Sequence, residues 1–147
     1  MNGFLLFKRR YVYYIEIVTM DKNILFINNT TTASLVPGLL AANGYGVDAV
    51  YDSETGLRHL DARSYNLAIV LESSTAESWQ LCEKIRRFTG IPLIIISSNA
   101  STETCVKAIS AGADYFMRKP FGPLELLARV GSLAQRTLSR QTIPVVS

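Results

Sequence analysis

Ile91-Pro92-Leu93-Ile94-Ile95-Ile96-Ser97-Ser98 is the most apolar stretch of the chain and carries no charge. A short, uninterrupted apolar run of this kind reads as a strand buried on both faces, as in a parallel sheet. Pro92 belongs at its entry, where no ladder donor is needed. Working outward, similar runs lie at residues 24–27, 47–51, 66–71 and 115–117, and each is followed by a segment of helical spacing. Thr30-Thr31-Thr32 offers N-caps for a first helix over residues 33–43, with Leu35, Val36, Leu39 and Leu40 on its apolar stripe. Pro37-Gly38 predicts that this helix is kinked, or that it starts late with Pro37 in its first turn. Asp52 or Ser53 caps a second helix through Leu57 and Leu60, and His59 beside Leu60 reads as a surface residue. Trp79, Cys82, Ile85 and Arg86 mark a third helix. Ser101 or Thr102 caps a fourth, carrying Val106, Ala108 and Ile109 and closed by Gly112. Pro123 opens a fifth, with Leu124, Leu127, Val130 and Leu133 inside.

Five β-α units predict an α/β fold: a doubly wound, five-stranded parallel sheet between two helical layers, with right-handed crossovers. In such sheets the functional site lies beyond the carboxyl ends of the strands, at the point where strand order reverses. That places Asn28-Asn29, Glu72, Ser97-Ser98 and Lys119-Pro120 at the site.

The composition is that of a globular protein. The chain has 147 residues, 48% hydrophobic and 18% charged, which suits one well-filled domain and excludes a disordered chain. Cys82 and Cys105, with the lone His59, supply neither a disulfide framework nor a zinc set. They read as reduced thiols of a cytoplasmic protein. The net charge of +3 comes from Lys8-Arg9-Arg10 and a thin scatter near Arg136 and Arg140, too little for direct nucleic-acid binding by this domain. No run reaches the ~20 apolar residues of a membrane span. Residues 1–19 stand apart from the rest. Their segment 11–18 is rich in β-branched and aromatic residues and reads either as an added edge strand or as a leader foreign to a domain that begins at Met20. The domain is expected over residues 20–138, and the aperiodic residues 139–147 as a tail or the start of a linker.

The stretch Ala111-Gly112-Ala113-Asp114-Tyr115-Phe116-Met117-Arg118-Lys119-Pro120-Phe121, followed by Pro123-Leu124-Glu125-Leu126-Leu127-Ala128-Arg129-Val130, resembles the receiver domain of bacterial two-component response regulators. The likeness is to the OmpR/PhoB-like receivers joined to winged-helix DNA-binding domains, and it extends over residues 22–138. Ile91 to Ser98, Gly44-Tyr45 and Tyr65-Asn66-Leu67 match as well. The resemblance implies the flavodoxin-like (CheY-like) fold. It also implies a site where a phosphoryl group passes from a histidine of a sensor kinase to an aspartate, with Mg²⁺ held by carboxylates.

Carried over by position, Lys119 takes the place of the family lysine, before Pro120, which is cis in the family. Ser97 is the hydroxyl residue and Phe116 the switch aromatic. The acid pair falls on Asn28 and Asn29, and the acceptor on Leu71, with Glu72 next. The cationic half of the site is therefore kept and the anionic half lost. Amides hold Mg²⁺ poorly and leucine is no nucleophile. No cofactor is expected, Mg²⁺ binding is expected to be weak or absent, and no enzymatic activity is expected. The sequence thus predicts a degenerate receiver. It would act by contact with a protein partner or a second copy through the helix 4, strand 5 and helix 5 face (residues 102–111, 115–118 and 123–138), possibly controlling transcription through an output domain or partner. The alternative is a phosphoacceptor that uses the displaced acid Glu72. A third option has Glu72 ion-paired with Lys119 as a mimic of the activated site.

Overall fold

The computed structural model describes residues 22–73, 78–98 and 101–146, with side chains over 22–73, 79–98 and 101–135. The expected edge strand at 11–18, the start at Met20 and most of the loop Ser73-Ser74-Thr75-Ala76 lie outside the described residues. The elements run β1 (Asn23–Asn28), α1 (Val36–Ala42), β2 (Gly46–Val50), α2 (Ser53–Ala62), β3 (Leu67–Glu72), α3 (Ser78–Phe88), β4 (Leu93–Ser97), α4 (Thr102–Ser110), β5 (Tyr115–Arg118) and α5 (Pro123–Val146). The five strands form one parallel sheet in the order β2-β1-β3-β4-β5.

Side-chain alternation along the strands sorts the core into two layers. Leu25, Ile27, Ala68, Val70, Leu93 and Ile95 face one side, against Leu60 of α2, Leu81, Cys82 and Ile85 of α3 and Ala108 of α4. Ile24, Phe26, Leu67, Ile69, Leu71, Ile94, Ile96 and Met117 face the other, against Val36 and Leu40 of α1 and Leu126, Val130 and Leu133 of α5. The innermost of these are fully buried, each contributing about 1.5–3 kcal/mol over an exposed position.

Local chemistry sets the helix ends. Pro37 lies in the first turn of α1, so the helix starts late and Leu35 is left 92% exposed at its cap. Asp52 accepts from the Thr55 amide at 2.7 Å, and Ser101 caps α4 through the Thr104 amide. Gly44 and Gly112 close α1 and α4 with φ of +92° and +120°, the left-handed region that favours glycine. Two expectations about α5 need correcting. Leu124 is 81% exposed, and Leu126 is buried in its place, so the apolar stripe is rotated from the one expected. The helix also continues to Val146, through the segment read as an aperiodic tail.

Candidate functional site

The strand order reverses between β1 and β3, so the crevice expected of a doubly wound sheet opens at their carboxyl ends. Parallel register fixes which residues meet there. Asn28 stands opposite Leu71, and Leu71 opposite Ile96, on the α1–α5 side. One residue further on, Glu72 stands opposite Ser97, and Ser97 opposite Arg118. Because side chains alternate, Glu72 faces the α2–α4 side, away from Leu71.

Leu71 is 3% exposed and belongs to the apolar layer; its carbonyl accepts from the Asn29 amide at 2.8 Å. Asn28 is buried and fully engaged. Its Oδ1 accepts from the Thr30 amide (2.9 Å) and the Thr30 hydroxyl (2.6 Å), and its Nδ2 donates to the Thr32 carbonyl (3.0 Å). This local turn uses the side-chain bonding for which asparagine is suited. Asn29 Nδ2 donates to Glu72 Oε1 at 2.9 Å. The bond follows from the register: the residue after Asn28 continues the ladder to the residue after Leu71. Burial pushes the Glu72 carboxyl above the ordinary carboxylate range, and the Asn29 bond opposes this in part. Burial likewise pushes the neighbouring Cys82 thiol up to about 12, so it stays protonated.

The β4–β5 half is built differently. Ser97 is fully buried at the end of β4, and its carbonyl accepts from the Lys119 amide at 2.9 Å. Lys119 itself is exposed, and the Lys119–Pro120 peptide is cis. Among the described residues Lys119 forms no ion pair within 4 Å, so the Glu72–Lys119 pair of the third option is not made; Glu72 bonds Asn29 instead. Phe116 is half-buried against the α2–α4 layer. Tyr115 packs on the opposite side, under the guanidinium of Arg129, 4.3 Å from its ring centre.

These residues do not fit a divalent cation. The Asn28 carbonyl oxygen already has two donors, Asn29 turns its NH₂ toward Glu72, and the Leu71 side chain offers no oxygen. A hard cation needs several free oxygens, carboxylates above all.

Sequence reading missed two clusters. Arg86 Nε and Nη2 donate to the Gly112 carbonyl (3.0 and 2.6 Å), Nη1 donates to the Ile91 carbonyl (2.6 Å), and Nη2 also reaches Asp114 Oδ2 (3.0 Å). Asp114 Oδ2 accepts from the Leu93 amide as well. At the β2 edge, the Tyr65 hydroxyl donates to Asp48 at 2.6 Å, with Arg63 on the same carboxylate and His59 Nδ1 at 3.4 Å. This holds Asp48 below its usual range, while burial and the Asp48 bond take the Tyr65 hydroxyl up to about 12. An arginine or tyrosine on a half-buried face gives no periodic signal, so only three-dimensional proximity exposes these roles.

The sheet order, the two helical layers and the crevice at the β1–β3 switch define a flavodoxin-like α/β domain whose polar residues gather at the strand ends. The sequence model of the response regulator receiver domain matches residues 25–131, so the chain belongs to that family, whose members serve two-component signalling. Response regulator ArlR of Staphylococcus aureus is 34% identical over 107 residues, which are 72% of this chain and 49% of that protein. A CheY-like response regulator receiver domain protein from Methanospirillum hungatei superposes with a TM-score of 0.69 at 26% identity, over 81% of this chain and 98% of that one. A two-component response regulator from Clostridium difficile gives a TM-score of 0.69 over 78% and 97% of the two chains; at 24% identity it bears on the fold alone. The chain spans about half the length of the curated relatives it matches. Among the described residues, no helix is long and apolar enough to cross a membrane.

Proposed function

We propose that this chain is an atypical receiver whose output does not depend on phosphoryl transfer, and that it signals by protein–protein contact. One observation carries this reading. Leu71, which we read at the acceptor position, is buried in the core beside Asn28, whose amide is bonded to Thr30 and Thr32, and Asn29, whose NH₂ is bonded to Glu72. Lys119, Ser97, Pro120 and Phe116 remain as the inherited half of the pocket, with Phe116 as the switch aromatic. The partner, a second copy or another protein, docks on α4–β5–α5. The exposure of Ile109 (43%) and Leu124 (81%) on α4 and α5 supports this, since these apolar side chains are left largely uncovered by the described chain. The domain works in the cytoplasm and binds no nucleic acid directly. A sensor kinase, an output domain or a partner protein connects it to its signal and to the control of transcription.

The test is incubation with acetyl phosphate and Mg²⁺, read by intact mass. Transfer would break the donor's acyl O–P bond, form a carboxylate O–P bond on the protein and release acetate. The wild-type chain is expected to stay unmodified. The triple variant Asn28→Asp, Asn29→Asp, Leu71→Asp is expected to take up the group. A wild-type adduct mapped to Glu72 would establish the rival reading, a receiver with a displaced acceptor.

A further inference from the structure

We propose that the Asn29–Glu72 hydrogen bond is a metal-free clasp, joining the ends of β1 and β3 where a pair of carboxylates would repel and would draw a divalent cation. The inference deepens the phosphorylation-independent reading above and rests on its account of the pocket. Two strands ending side by side with carboxylates on both would repel each other, a repulsion that a cation or a shared proton would offset. Here one partner is an amide. Its NH₂ is a donor, and Glu72 presents the acceptor at 2.9 Å. Glu72 is 5% exposed, so water reaches it poorly and the bond is made in a low-dielectric setting, where it counts for more. The backbone repeats the connection one step away, the Asn29 amide donating to the Leu71 carbonyl at 2.8 Å. The β1 side is itself braced, because Asn28 fastens Thr30 and Thr32 around the turn. The whole arrangement closes on groups of this chain alone. Asparagine and aspartate differ at this position only by NH₂ against O⁻, so one substitution would convert the clasp into a cation-responsive pair.

The test uses thermal unfolding of the full chain, with Mg²⁺ or EDTA. The wild-type midpoint is expected to be the same in both. Asn29→Ala and Glu72→Ala are each expected to lower it by a few degrees, and the double variant by little more than either, as for two halves of one interaction. Glu72→Gln, whose side-chain oxygen still accepts from Asn29, is expected to keep the midpoint or raise it. Asn29→Asp is expected to have a lowered midpoint in EDTA that Mg²⁺ restores. Additive losses in the double variant would overturn the clasp, as would a wild-type midpoint that Mg²⁺ raises. An Asn29→Asp chain indifferent to Mg²⁺ would overturn the claim that the amide stands in for an ion. The two readings fail separately: a phosphoadduct on the wild type sinks phosphorylation independence, whereas absent coupling sinks only the clasp.

Discussion

The two halves of the strand-end crevice have diverged in opposite directions. At β1 and β3, Asn28 and Glu72 are buried and Asn29 half-buried, and their polar groups are bonded to one another or to the neighbouring turn. At β4 and β5, Ser97 and Phe116 keep the family's residue types, and Lys119 extends into solvent. On the reading proposed above, one half of the crevice is closed by bonds within the chain. In the other half Lys119 reaches solvent rather than Glu72. A buried polar group must find a partner or cost stability, whereas an exposed lysine is held by water at little cost. That difference sets the two sides apart in what a substitution costs.

The comparison can be broken most forcefully at Leu71. Leu71→Asp alone would put an unpaired carboxylate into the α1–α5 layer, and it is expected to cost roughly 3–5 kcal/mol in denaturant unfolding. A loss under about 1 kcal/mol would mean that the crevice is wetter and more open than its packing indicates. A gentler probe is pH. The Glu72 carboxyl titrates higher in the folded chain than in the unfolded one, because burial disfavours its charge. Between those two values the folded state holds more protons. The stabilising contribution of Glu72 is therefore complete below the unfolded value and is lost as pH rises through the folded one. Stability measured from mildly acidic to neutral pH should fall on this account, and Glu72→Gln should flatten the profile. An unchanged slope in that variant would assign the effect elsewhere. The smallest expected effect is at Lys119. Lys119→Ala should change unfolding free energy by no more than about 0.5 kcal/mol. A larger loss would show that the β4–β5 half is as tightly built as its neighbour.

Much of this molecule can be read from its residues. The apolar runs and the caps at Asp52 and Ser101 announce the alternating strands and helices, and Pro37 signals the late start of α1. The proposal that Leu71 stands at the acceptor position also comes from the sequence, through the local motifs on either side of it. The partner of Glu72 is not visible. Whether a strand-end carboxylate meets Asn29 or Lys119 depends on the register of β1 against β3, a long-range property that short-range patterning does not encode. The same holds for α5, where several leucines in a row leave the phase of the stripe open, and packing chose Leu126 over Leu124.

Arg86 has a mechanical consequence. By gathering the carbonyls of Ile91 and Gly112 and the carboxylate of Asp114 on one guanidinium, it rivets the trailing end of α4 and the root of β5 to α3. The Gly112 end of α4 is thereby the anchored end of that helix, with α3 as its mount.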